Sequence, residues 1–406
     1  TAQAYNRIGV RARRQGQNAA AENALTAALE HDPEHPEALF NLAALHSERG
    51  LHEPALPLWR RLHALTPADH DVSRELAICL GQNGQTSTAA EVLAGIPLPE
   101  QALSRLLHAR AMAWAGAADG IPGLLAQLPL QSDHSRLLFQ LAEELEQASD
   151  TETATAVYDR LVAVLDEGRR APGMRALYKR HLLLAPVSND PYSCARQLER
   201  YALGLERLGT GFQQLMDDPR CQRRLSQLAS DNFFLAYQHS DGRRDRLLQA
   251  RLGSLLARAA SRFAPSWYRP APVRPNRAGG RRARIGLVSS HWRLCTVGSY
   301  FGSWVGMLAD AGHDVQLFQV GPLSDDLTHA LAERAQQVHI LSGSLEEMAS
   351  EVADSQCDLL IYPELGMDRR LLPLAALRLA PRQACAWGHP VTTGLPTIDA
   401  WFTCAD

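Results

Sequence analysis

Apolar positions change their spacing once along this chain. Up to about residue 262 they recur at intervals of three and four, as in Leu39, Leu42 and Ala43. That spacing puts them on one face of a helix. The same reading predicts later helices over Gln101–Ala117, Ser135–Gln147, Thr151–Leu165 and Tyr192–Leu208. After residue 283 short apolar runs alternate with helical segments. Arg284–Ser290, His313–Val320, Val338–Leu341, Asp358–Glu364, Gln383–Gly388 and Asp399–Cys404 read as strands. Between them Thr296–Ala311, Ser324–Gln336, Ser344–Ser355 and Leu371–Leu379 read as helices. Apolar strands separated by helices predict a parallel sheet covered on both faces.

The first hundred residues also match themselves at a shift of 34. Gly16, Gly50 and Gly84 recur, as do Ala21, Ala55 and Ala89; Leu25, Trp59 and Leu93 share a bulky phase, and Pro33 and Pro67 close two units. This period and pattern are the tetratricopeptide (TPR) signature. The glycine serves a left-handed backbone position between two helices. The alanine lets the paired helices approach, and the proline cannot continue a helix. One pair cannot bury its apolar face alone, so the units must stack. Three such units are expected within residues 1–97. Residues 98–264 stay helical without the period, either as degenerate repeats or as a helical cap. Pro265, Pro270, Pro272, Pro275 and Gly279-Gly280 make 265–283 a linker. Its arginines, six from Arg269 through Arg284 with no acid, form either a solvated stretch or a phosphate- or partner-binding patch.

Composition narrows the class. A chain of 406 residues suggests two or three domains. A net charge of -3 weighs against a nucleic-acid binder that works by neutralising phosphates. Seven cysteines with no CxxC pair read as free thiols in a reducing compartment, hence a cytoplasmic location. No apolar run is long enough for a membrane span, so no membrane partner is expected. Thr1–Arg14 shows no apolar leader, and the chain reads as beginning inside a longer protein. Lys179 is the lone lysine, a bias towards arginine that suggests a GC-rich bacterial genome. Asp69-His70-Asp71 spells a metal-binding DxD, but it falls in a turn between repeat units and reads as turn chemistry. No other spacing suggests a metal.

Ligands of doubly wound sheets sit beyond the carboxyl ends of the strands. Three groups of small, polar and titratable residues fall there: Ser289-Ser290-His291-Trp292-Arg293, Pro363-Glu364-Leu365-Gly366-Met367-Asp368 and Gly388-His389-Pro390-Val391-Thr392-Thr393-Gly394. The helix opening at Thr296-Val297-Gly298-Ser299 would turn free N–H groups towards the same edge. No GxGxxG follows the first strand, which argues against NAD or FAD.

Several of these runs resemble family-41 glycosyltransferases, which include O-GlcNAc transferase, SPINDLY and the adhesin-modifying N-glycosyltransferases. Arg284-Ile285-Gly286-Leu287-Val288-Ser289-Ser290 resembles the opening strand of their first catalytic lobe. Leu379-Ala380-Pro381-Arg382-Gln383, then Trp387 through Gly394 and Ile398-Asp399, resembles an ordered stretch of the same lobe. Asp231 through Gln238 resembles a segment just before the catalytic region of bacterial SPINDLY-like proteins, or is simply an aromatic helix face in a core.

The resemblance implies an α-solenoid (TPR) followed by an α/β Rossmann-like lobe of a GT-B glycosyltransferase, with 284–406 as the first lobe. It implies transfer from a UDP-sugar to a protein side chain by inverting displacement, with no metal and no cofactor beyond the donor. The acceptor protein would be recruited through the TPR groove, and a homo-oligomer is open. The UDP-sugar would be held mainly by a second lobe, which a chain ending at Asp406 is expected to lack, so this piece alone should not turn over. O-GlcNAc transferases carry a histidine a few residues past the first strand, where Cys295 stands here; the adhesin-modifying enzymes carry one directly after it, matching His291.

The candidate catalytic residues are His291, His389 and Glu364. The candidate substrate-lining residues are Ser290, Cys295, Gly298, Gly388, Pro390, Thr392, Thr393 and Gly394. The structural alternatives are a loop-packing His291, a turn His389 beside Pro390 and a capping or ion-paired Glu364. Two other functions stay open: a non-catalytic TPR scaffold with a degenerate glycosyltransferase-like domain, and a GT-B enzyme acting on a small molecule or lipid.

Overall fold

A computed structural model describes residues 1–168, 173–186, 191–219, 225–228, 233–238, 242–268, 282–323 and 325–403. The chain divides into two compact units, Thr1–Arg169 and Arg170–Asp406. Most of the predicted linker, the residues Asp231 and Asn232, and Cys404 lie outside the described residues.

The first unit is a run of helix pairs. The helices are α1 (Ala2–Arg14), α2 (Asn18–His31), α3 (Pro36–Glu48), α4 (His52–Leu65), α5 (His70–Gln82), α6 (Thr86–Ala94), α7 (Ala102–Trp114), α8 (Ile121–Ala126), α9 (Ser135–Gln147) and α10 (Thr151–Glu167). Gly16, Gly50 and Gly84 each end the first helix of a pair with φ near +70°, and Gly116 does the same after α7. Ala21, Ala55 and Ala89 are fully buried where the paired helices touch. Trp59 of α4 is buried against α3 of its own pair, in a core cluster that also takes in Val72 and Leu76 of α5: its ring meets Phe40 edge-on at 5.4 Å, and its indole N–H donates to Ser47 Oγ at 3.1 Å.

The repeat persists in position after its residue types change. Asn41 donates to Asn6 Oδ1 at 2.9 Å across 35 residues of sequence. Arg110 clasps Glu144 with bonds of 2.6 to 3.0 Å across 34. A polar phase therefore links the first helices of successive pairs beyond the residues where the glycine–alanine–proline pattern can be read.

The second unit opens with three helices, α11 (Met174–Leu182), α12 (Pro191–Asp217) and α13 (Gly242–Phe263). Phe233–Tyr237 forms a 3₁₀ turn in which Leu235 is buried, Phe234 is half-buried and Tyr237 is exposed. Then follow β1 (Arg284–Ser289), α14 (Thr296–Asp310), β2 (Asp314–Val320), α15 (Asp326–Arg334), β3 (Gln337–Leu341), α16 (Leu345–Asp354), β4 (Leu359–Tyr362), α17 (Leu371–Ala375), β5 (Arg382–Cys385) and β6 (Ala400–Trp401). All six strands pair in parallel, in the order β3-β2-β1-β4-β5-β6. The order reverses between β1 and β4, which places a crevice at their carboxyl ends. Ile285, Leu287, Val315, Leu317 and Ile361 bury one sheet face against Val297, Phe301 and Val305 of α14.

The strand boundaries differ from the sequence reading in one consistent way. β4 stops at Tyr362 because Pro363 has no N–H to continue the ladder, so Glu364 belongs to the following turn. Among the described residues no helix is long and apolar enough to cross a membrane.

The packing of Trp59 gives a direct test. Trp59→Ala removes a fully buried ring and should lower the unfolding free energy by about 3–5 kcal/mol. Gly50→Ala, which meets no neighbour but forces φ +72° on a residue with a Cβ, should cost only about 1–2 kcal/mol. Urea unfolding followed by circular dichroism measures both; equal losses would deny Trp59 its place as the core anchor.

Candidate functional site

The turns after β1, β4 and β5 meet at one edge of the sheet. Pairing of β1 with β4 and of β4 with β5 sets their carboxyl ends side by side. The Gly388 N–H donates to the Pro363 carbonyl at 3.0 Å, joining the third turn to the second. A Cβ on Gly388 would lie 2.7 Å from that oxygen and 3.0 Å from Glu364 Cβ, so only glycine fits there.

Glu364 sits at the centre, with no exposed surface. The Ser289 hydroxyl donates to its carboxylate, 3.0 Å from both oxygens, and accepts the His291 N–H at 2.8 Å. His291 Nδ1 lies 3.2 Å from Glu364 Oε1 and 3.0 Å from Ser290 Oγ. Burial raises the Glu364 pKa above the usual carboxylate range, while the hydrogen bonds from His291 and Ser289 pull it back part of the way. The imidazole is 18% exposed, and Nε2 has no protein partner among the described residues. A buried carboxylate thus lies behind Nδ1, which fixes the orientation of the ring and leaves Nε2 in front.

Two further features support this cluster. Burial opposes ionisation of Asp368, but Arg370 and a bond from Ser290 hold its carboxyl below the usual range. Arg370 grips Asp368 at 2.6 and 3.0 Å. On the other side, the half-buried Cys295 Sγ donates to the His291 carbonyl at 3.5 Å at the start of α14. At Gly298 a Cβ would collide with the Arg293 carbonyl, so the loop carrying His291 lies directly on the first turn of α14.

The remaining predicted residues point elsewhere. His389 is 1% exposed and faces the Val391 carbonyl through Nδ1 at 3.2 Å. Pro390 is exposed. Thr392 Oγ1 accepts from Gly394 N–H, and the buried Thr393 accepts from Leu395 N–H. Gly394 has φ +62° and presses against the backbone of Gln249 in α13, where Gly253 leaves room for it. The third turn thus reaches the Glu364 cluster through Gly388, while its far half clamps α13.

Sequence reasoning missed Asp325, which accepts the Leu294 N–H at 2.6 Å and caps α15. The signal was the capping pair Asp325 and Thr328, but its reach back to the first turn is a tertiary contact. Gln383 was read only as part of a matching stretch. It is fully buried and its side-chain amide ties the Ala375, Leu377 and Thr397 carbonyls, so that stretch carries structure. Asp69 of the DxD string caps α5 and Asp71 pairs with Arg74, in the other unit. Among the described residues no three His, Cys, Asp or Glu side chains converge where a metal could bind. A groove of about 570 Å³ at the opposite, amino end of the sheet is lined by Arg284, Gln337, His339 and Glu351, away from the Glu364 cluster.

Comparison with known proteins adds one family. Residues 12–58 match the tetratricopeptide repeat family, so this is a TPR-containing chain. No curated protein matches it. Among solved structures it aligns with an O-GlcNAc transferase mutant of Thermobaculum terrenum at 20% identity, over 98% of this chain and 53% of that one, with a TM-score of 0.39. A thermophilic TPR protein of Thermus thermophilus aligns at 27% identity over 41% of this chain and 93% of its own, with a TM-score of 0.31. A tetratricopeptide repeat protein of Parabacteroides merdae aligns at 18% identity, over 52% and 78%, with a TM-score of 0.34. The chain therefore spans about half the length of the transferase, and none of these scores establishes a shared overall fold.

The raised pKa of Glu364 makes a signed prediction. The native state holds this proton more tightly than the unfolded chain, whose glutamate titrates near about 4.3. The stability it supplies is complete below that value and is lost as pH rises through the folded pKa. Glu364→Gln, neutral at every pH, should lack this loss. The wild-type minus variant difference in unfolding free energy should therefore fall as pH rises above about 4. Parallel stability–pH curves for the two proteins would contradict the assignment.

Proposed function

We propose that this chain is the acceptor-side part of a protein glycosyltransferase. In this reading the parallel sheet is the first, Rossmann-like lobe of a GT-B catalytic region, and the TPR helices recruit the acceptor protein. The observation that carries it is the buried Glu364 carboxyl behind Nδ1 of a part-exposed His291, at the carboxyl-end crevice of the sheet. The family resemblance of the Arg284–Ser290 and Leu379–Asp399 runs supplies the donor class, a UDP-sugar held from across the cleft by a second lobe.

The chemistry follows from the geometry. An acceptor side chain must lose a proton as its oxygen or nitrogen attacks the anomeric carbon, whose bond to the diphosphate oxygen breaks to release UDP. Nε2 of His291 is the group open to take it. The imidazolium so formed faces Glu364, whose carboxylate stabilises it within the low-dielectric edge of the sheet. Ser289 and Ser290 fix the two partners, and Gly388 lets the third turn close over them. Five described cysteines are free, in keeping with a cytoplasmic setting.

Cys295 favours a second reading, a TPR scaffold without catalysis, because its thiol bonds a backbone carbonyl and offers no base where related enzymes carry a histidine. Activity decides between them. The intact protein, given labelled UDP-sugars and lysate proteins, should leave label on protein. His291→Ala should lower kcat by about 10²–10⁴-fold. Transfer of the sugar to a small acceptor, with UDP released and no protein labelled, would sink the leading reading, and no turnover with any UDP-sugar would favour the scaffold.

A further inference from the structure

The loop from Ser289 to Cys295 carries His291, and its two halves are held differently. The first half is anchored by burial. Trp292 is fully enclosed, and its indole N–H donates to the Phe318 carbonyl of β2 at 3.1 Å. The second half has no such anchor. Leu294 is 78% exposed and Arg293 is exposed too, so no apolar packing fixes their backbone. The Arg293 N–H donates to the His291 carbonyl at 2.7 Å and the Arg293 carbonyl lies against Gly298 of α14, and one carboxylate ties this half to α15. Asp325 Oδ2 accepts the Leu294 N–H at 2.6 Å, while Oδ1 accepts the Thr328 N–H and hydroxyl at 2.9 Å each.

We propose that Asp325 is a positioning residue for His291, fixing the exposed half of its loop to the first turn of α15. Its two oxygens have separate tasks: one caps the helix, the other ties down the loop. The backbone N–H groups they accept also keep this carboxyl below the usual range, so it stays ionised while it does both. With the loop released, the Arg293 carbonyl would leave Gly298 and the imidazole would lose its fixed distance to Glu364. The functional consequence rests on reading His291 as the proton acceptor; the structural one does not.

Asp325→Ser separates the two tasks. Serine caps a helix about as well as aspartate, but its side chain is one atom shorter and does not reach Leu294. In the full chain labelled with ¹⁵N-histidine, the His291 imidazole signals, assigned from their loss in His291→Gln, should report one tautomer in the wild type. They should move towards tautomer averaging in Asp325→Ser while the thermal midpoint stays put. Asp325→Ala, which loses cap and tie together, should show the same spectral change with a lower midpoint. In the intact protein kcat should fall about tenfold or more with KM unchanged. Unchanged His291 signals in Asp325→Ser overturn the proposal. If those signals move while His291→Gln transfers sugar normally, the positioning role stands and the proton-acceptor reading fails.

Discussion

A carboxyl group with no exposed surface closes the carboxyl end of this sheet, and the arrangement around it follows from that. An unpartnered buried carboxylate would be costly enough to protonate or to draw water in. Glu364 offsets part of this cost by gathering a hydroxyl from β1 and a histidine from the turn beyond it. One of those partners, Ser289, ends the neighbouring strand β1, and the other, His291, stands in the turn that follows it. The reversal of strand order between β1 and β4 opens the space, and the carboxyl group decides what fills it.

The helix pairs of the first unit were legible because stacking repeats the same local demand every 34 residues. Gly16, Gly50 and Gly84 answer a backbone need that no side chain meets cheaply, so their identity survives in the sequence. The polar contact between first helices tolerates a change of residue type: the Asn6–Asn41 bond near the start of the run is answered past residue 97 by the Arg110–Glu144 clasp. A reading tuned to glycine, alanine and proline loses the period there, although the spacing of 34 to 35 goes on. The sheet was legible for a similar reason, since its buried strands β1, β2 and β4 are largely apolar. Their ends were less so: β4 and β5 stop short of the predicted bounds, where backbone pairing gives way to the turns that carry the polar residues.

The candidate site was readable as three turns, but the separate roles within them were not. Residue type alone put His291 and His389 on equal terms. The fold divides them, one part-exposed beside Glu364, the other enclosed in a turn that serves α13. Gly394 looked like a substrate-lining residue and meets a helix backbone, because Gly253, more than a hundred positions away, removes the side chain that would have kept them apart. Such reciprocal contacts leave no trace at either position taken singly. Gln383 is the same case in polar form: a glutamine in a recognisable motif, whose burial among three carbonyls only the folded chain displays.

Two glycines then govern how exact the site can be. Gly388 brings the third turn within bonding distance of Pro363, and Gly298 lets the His291 loop rest on α14. Both act by omission, since a methyl group at either place would push one turn outwards. A His–Glu pair tolerates little of this, because its hydrogen bond weakens quickly with distance and angle. Close backbone contact, more than the titratable side chains themselves, therefore sets the geometry in which His291 and Glu364 meet. Substitution at these glycines would reach the chemistry without touching a group that takes part in it.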